Sequence, residues 1–113
     1  MSLIEPFNLL GAVPGDLTEE VFETLLSRPG IRLERILSMG HVTPEGIWFD
    51  QPTDEWVFLL QGSARLRIDG QRDGIFLTAG QGLWLPAHCR HRVEWTDPHK
   101  VSIWLALHLD PTG

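Results

Sequence analysis

From Ile31 onward, apolar and polar residues alternate with a period of two in short runs: IRLERILS, IWF, EWVFLLQ, SARLRID, GIFLTA, LWLP, HRVEWT and VSIWLALHL. Successive side chains of a strand point to opposite faces, so runs of this kind predict β-strands. The clusters PTDE, DGQRDG, AGQG and DPHK between them supply turns. Many short strands at this cadence predict an all-β sandwich or barrel. In SARLRID, Leu66 and Ile68 face one way and Arg65 and Arg67 the other, so one face of that strand is wet. EWVFLLQ is apolar on both faces and belongs at the centre of a sheet.

The N-terminal part has a different period. In DLTEEVFETLLSR, Asp16 stands as an N-cap with Glu19 three positions on, and Leu17, Val21, Phe22, Leu25 and Leu26 recur at helical spacing until Pro29 and Gly30 stop them. This predicts one short helix in an N-terminal segment of residues 1–30, ahead of a single β-barrel domain over residues 31–113.

The totals bound the function. A chain of 113 residues with formal net charge −6 has the length of one domain. A single cysteine, Cys89, makes neither an internal disulfide nor a thiolate zinc site. The start does not read as a signal peptide and no apolar stretch approaches a membrane span, so a soluble, cytoplasmic protein that does not enter membranes is expected. Nine Lys and Arg scattered along an acidic chain leave no basic footprint for nucleic acid. Five Trp and no Tyr in so short a chain point to a cavity wall or a subunit interface as well as to core.

Two residues break the apolar pattern. Glu55 opens the run EWVFLLQ and shares its face with Val57 and Leu59, while Trp56 and Phe58 take the other. In HRVEWT, alternation puts His91, Val93 and Trp95 on one side, taken as inward, and Arg92, Glu94 and Thr96 on the other. Burying a lone polar group costs roughly 2–7 kcal/mol, and a charge more. An inward Glu and an inward His therefore require contact with each other, hydrogen-bond partners or a common cation.

The spacing around these residues, E-x6-G from Glu55 to Gly62 and G-x5-P-x4-H from Gly80 through Pro86 to His91, resembles the two motifs of the cupin superfamily. The resemblance covers about residues 31–108. It implies a double-stranded β-helix, the jelly-roll barrel, with a divalent metal inside it, and Glu55 and His91 carry over as ligand positions. The family pattern has two histidines ahead of the glutamate, where this chain offers Phe49 and Gln51 or Trp48 and Asp50. It has Gly where His88 stands and Asn where Trp95 stands. The remaining ligands implied are Asp50, Gln51, His88 or water, Asp50 being preferred over Gln51 because a carboxylate compensates a cation. A donor set of this kind suits Zn, Mn or Fe.

A metal-dependent cupin holding a small polar, carboxylate-bearing molecule is the first functional expectation, with Trp48, Phe58, Trp84 and Trp95 as pocket wall and a dioxygenase, isomerase or lyase as reaction classes. The second is a non-catalytic binding or sensing cupin without metal. Cupins of this size commonly pair, which implies a homodimer. Cys89 reads as an inert small residue, since neighbours on a strand or turn point apart and a thiol nucleophile needs a base within reach. His41 reads as a rim residue and His99 as solvated, while His108 could approach the barrel mouth.

Overall fold

The computed structural model describes residues 3–111 as eight strands: β1 (Val21–Arg28), β2 (Ile31–Ser38), β3 (Asp54–Gln61), β4 (Ser63–Ile68), β5 (Ile75–Thr78), β6 (Gly82–Leu85), β7 (His91–Thr96) and β8 (Ser102–Leu109). They form two antiparallel sheets, one of five strands in the order β1-β2-β8-β3-β6 and one of three in the order β5-β4-β7. Residues 43–49 extend the smaller sheet without forming a full strand. The amide of Thr43 bonds the carbonyl of Val93 at 2.9 Å, and Phe49 and His91 exchange a pair of backbone bonds at 2.8 and 3.1 Å. The fold is all-β, as the alternation predicts, and its two sheets form the jelly roll that the family resemblance implies.

The predicted N-terminal helix is strand β1. Its residues pair with β2 along their whole length through a hairpin at Pro29-Gly30, where Gly30 at φ 80° suits the left-handed second position of a type II turn. A β-bulge at Leu25, between Thr24 and Leu26, lets both consecutive leucines be half-buried, so a pattern that reads as helical is satisfied by a strand. An isolated helix of this length is marginal in water, and tertiary pairing decides the outcome. Pairing sets Glu23 directly opposite Arg35, and the two form an ion pair at 2.9 Å.

The chain changes sheets at Gly62, the single residue between β3 and β4. Its φ is 93°, and a Cβ there would collide with Ser102 on β8. Only glycine allows the turn and the close approach together.

The main core lies between the sheets. Val57 and Leu59 of β3, Trp104 and Ala106 of β8 and Leu85 of β6 meet Ala64, Leu66 and Ile68 of β4 and Leu77 of β5. A second cluster, Leu37, Val101 and Ile103, sits apart from it, covered by Val13, Leu17 and Val21 of the N-terminal part. Beside it Arg35 is strapped to that segment, donating from Nη1 to the carbonyls of Leu9 (2.9 Å) and Gly11 (2.7 Å). Among the described residues no helix is long and apolar enough to cross a membrane.

Candidate functional site

A cavity of about 160 Å³ opens between the sheets. Its apolar wall is Ile36, Val57, Leu66, Leu85, Val93 and Trp104, and its polar end carries Glu34, Glu55, His91 and His108. Strand parity explains the gathering. Glu34 and Ile36 of β2, Trp104, Ala106 and His108 of β8, and Glu55 and Val57 of β3 share the inner face of the larger sheet, with Glu55 directly opposite His108. His91 enters from the smaller sheet.

Glu55 and His91 are 7% and 6% exposed and approach to 3.8 Å between Oε1 and Nε2. That is longer than a hydrogen bond, and the glutamate Oε1 has no partner in the fold. Burial pushes the Glu55 carboxyl above its ordinary value of 4.5, opposed by the nearby imidazoles of His108 and His91. His91 donates from Nδ1 to the carbonyl of Cys89 at 2.8 Å. A carbonyl only accepts, so Nδ1 holds the proton and, in the neutral ring, Nε2 presents a lone pair toward Glu55.

Next to this pair, His108 donates from Nε2 to Glu34 Oε1 at 2.9 Å, leaving its own Nδ1 buried without a partner. The hydrogen bond from His108 holds the Glu34 carboxyl below its ordinary range. A carboxylate that fixes one ring nitrogen and frees the other is the arrangement that orients an imidazole to exchange protons.

The other predicted site residues go elsewhere, and each for a local reason. Because Phe49 pairs with His91, positions 49 and 51 face the cavity and positions 48 and 50 face out. Gln51 lines the cavity, and Phe49 lies against the His91 ring at 5.5 Å between centroids. Asp50 and His88, predicted as ligands, instead bond each other at 2.8 Å on the surface, with side chains 48% and 69% exposed. His88 sits at φ 62° in a turn.

None of the four predicted wall residues lines the cavity. Trp48 packs under Arg90 and Arg92, whose guanidinium carbons stand 5.6 and 5.9 Å from its ring. Phe58 and Trp84 join Trp56 in an aromatic stack on the outer face of the larger sheet, because Phe58 has opposite parity to Glu55 and Trp84 pairs with Trp56. Trp95 is turned outward by a β-bulge at Glu94: Leu66 pairs with Val93, yet Arg65 pairs with Trp95, so the alternation that puts His91 inward fails after one repeat. Trp95 stacks on Phe76 instead, and Thr96 is the buried residue.

Glu34 and His108 are the residues that sequence reasoning missed or underweighted. In IRLERILS the apolar Ile31 and Leu33 mark the opposite face as the core side, so Glu34 reads as solvated. His108 had a usable signal, since parity places it with Trp104 and Ala106. Cys89 contributes its carbonyl, and burial pushes its thiol up.

A divalent metal fits these residues poorly. Among the described residues no three His, Cys, Asp or Glu side chains converge on one point. An apolar ring, Phe49, lines the cavity at one position where the family pattern has a ligand histidine, and Glu34 already engages His108 Nε2.

No protein-family model matches the sequence, and no curated protein matches it. Solved structures do. A protein from Ralstonia eutropha JMP134, provisionally named a mannose-6-phosphate isomerase, is 42% identical, with a TM-score of 0.92 over 96% of this chain and 100% of that one. A cupin superfamily protein from Desulfitobacterium hafniense DCB-2 is 18% identical with a TM-score of 0.79, covering 98% of this chain and 95% of the other. A cupin 2 conserved barrel domain protein from Leptotrichia buccalis is 21% identical with a TM-score of 0.75, over 91% of this chain and 47% of that chain.

Proposed function

This chain belongs to the cupin superfamily, and from that premise we propose that it binds a small polar metabolite inside the barrel and exchanges protons with it. The observation that carries the reading is Glu55: a carboxylate 7% exposed, its Oε1 unpartnered, facing the Nε2 of His91 across 3.8 Å of cavity. A buried charge without a partner is a standing cost that a protein avoids unless something compensates it. A bound molecule placed there meets two imidazoles, each with one nitrogen fixed by an acceptor and the other free.

Proton exchange at two nitrogens is what an isomerisation requires, since one proton leaves a carbon and another is delivered elsewhere on the same molecule. The provisional name of the Ralstonia relative describes an isomerase, and the proton-moving part of that description suits these residues. Of the two occupants that would balance Glu55, a divalent ion and an organic ligand, the donor set favours the organic ligand. Elemental analysis of protein purified without chelator is expected to find Zn, Mn and Fe well below stoichiometry, and chelator is expected to leave the melting temperature unchanged.

The direct test is a metabolite screen by thermal shift, repeated on Glu55→Gln and His91→Ala. Hits should vanish in both variants. Hits that survive both would overturn the proposal. For a confirmed ligand, deuterium entering a carbon from heavy water, seen by proton NMR, reports the exchange.

A homodimer is part of the same proposal. Trp56, Phe58 and Trp84 form a stack on the outer sheet face, with Trp56 and Trp84 40% and 43% exposed. A contiguous apolar face of this kind suits a self-complementary contact between two copies. Sedimentation should give twice the chain mass, falling toward one chain mass in Trp84→Glu.

A further inference from the structure

We infer that the ligand of this cavity is a compact organic amine, carrying a protonated nitrogen on a small hydrocarbon body, with the nitrogen held by Glu55. The inference rests on the metabolite-binding reading above and names its ligand class.

Charge is the first argument. Three carboxylates line the cavity, Glu20, Glu34 and Glu55, and no lysine or arginine does. Two of them are already served: Ser38 donates to Glu20 at 2.6 Å, and His108 donates to Glu34, which also has Arg32 at 3.8 Å from outside the cavity. Glu55 alone keeps a buried oxygen without a partner, and it lies at the cavity wall. A protonated amine supplies both the missing donor and the missing charge. A phosphate or carboxylate on the ligand would meet Glu55 as a like charge in a desolvated space, with no lysine or arginine in the lining to hold it. The carboxylate-bearing ligand that the sequence suggested is disfavoured for this reason, and so is the phosphate in the name of the Ralstonia relative.

Size and polarity are the second argument. A volume of about 160 Å³ is close to that of a cavity that takes up one benzene molecule, about 150 Å³. Beyond the five acid and imidazole groups, Gln51 and Thr43 are the polar side chains of the lining, and the rest of it, including Ile36, Val57, Leu66 and Trp104, is apolar. Such a wall gains from a hydrocarbon body and offers too few polar groups to satisfy every hydroxyl of a sugar.

The test uses three probes of one shape, cyclopentylamine, cyclopentanol and cyclopentanecarboxylate, titrated calorimetrically at neutral pH while proton NMR follows the ring signals of His91 and His108. Cyclopentylamine is expected to bind at least tenfold more tightly than cyclopentanol, and cyclopentanecarboxylate most weakly. In Glu55→Gln the amine's advantage should disappear while the alcohol's affinity changes less than threefold. If the alcohol or the carboxylate binds as tightly as the amine and moves the histidine signals, the amine assignment is overturned and the metabolite-binding reading stands. If none of the three moves those signals, both are overturned. The ranking in the unmodified protein decides the matter even if Glu55→Gln does not fold.

Discussion

The two faces of the five-stranded sheet each bury a charged residue, and they treat it in opposite ways. On the outer face Arg35, 3% exposed, donates to the carbonyls of Leu9 and Gly11 and pairs with both oxygens of Glu23. On the inner face Glu55, 7% exposed, stands 3.8 Å from its nearest opposite partner with one oxygen unpartnered. Both ions have lost their water. For Arg35 the protein itself replaces most of that water, with four hydrogen bonds to Leu9, Gly11 and Glu23 that leave Nε as its one buried atom without a partner, so the residue pins the N-terminal segment to the sheet. For Glu55 the replacement must come from outside the chain, and that difference separates a structural charge from one that waits for a ligand.

The strongest way to break this contrast is at Arg35. Arg35→Met removes the donor to two carbonyls and strands Glu23, so unfolding stability should drop on the order of 3 kcal/mol, read by chemical denaturation. A drop no larger than that of an exposed substitution would mean the outer charge is not structural.

Glu55→Gln should act in the opposite sense on the ligand-free protein. Replacing an uncompensated buried charge with a neutral isostere is expected to raise stability by about 1 kcal/mol, while metabolite hits are lost. Destabilisation would show that the fold, not a ligand, relies on Glu55.

A finer comparison comes from pH. Burial holds Glu55 above its ordinary 4.5, against the pull of His108 and His91, so its contribution is fully present below that pH and is lost as pH rises through the raised value. Glu34 is held down by the hydrogen bond from His108, so its contribution is present above 4.5 and lost as pH falls through the lowered value. Glu94, held down by Arg67 and then Arg65, shares that acid limb. Melting temperature of the ligand-free protein should therefore fall as pH rises from 4.5 through the raised value of Glu55, and Glu55→Gln should flatten that fall without touching the limb set by Glu34 and Glu94.

The smallest effect is expected at Asp50. Its pair with His88 is as short as that of Glu34 with His108, 2.8 against 2.9 Å, but lies in water. Asp50→Asn should change stability by less than about 1 kcal/mol and leave metabolite hits unchanged, whereas Glu34→Gln should weaken them.

Much of the fold is legible in the alternation, and the site is legible in part. The period of two marks seven of the eight strands, and it also directs Glu55 inward with Val57 and Leu59. It fails where strands are irregular. Leu25 and Leu26 mimic a helix because a bulge absorbs the extra residue, and Trp95 leaves the face of His91 because Glu94 does the same. It also fails where burial contradicts composition, as at Glu34, whose strand carries three of its four apolar side chains, Ile31, Leu33 and Leu37, on the outer face and only Ile36 beside Glu34 on the inner one. Phe58 has parity opposite to that of Glu55, so the alternation itself sets it on the outer face, away from the pocket wall.

The sequence by itself determined the strand cadence and the inward course of Glu55 and His91, because side-chain direction in a regular strand follows from position alone. Which groups those two residues meet was decided only in three dimensions. Glu34 and His108 come from strands far apart in the chain, and sheet register brings them to one cavity. Register and bulges depend on the packing of both sheets together, and no local stretch of sequence encodes that.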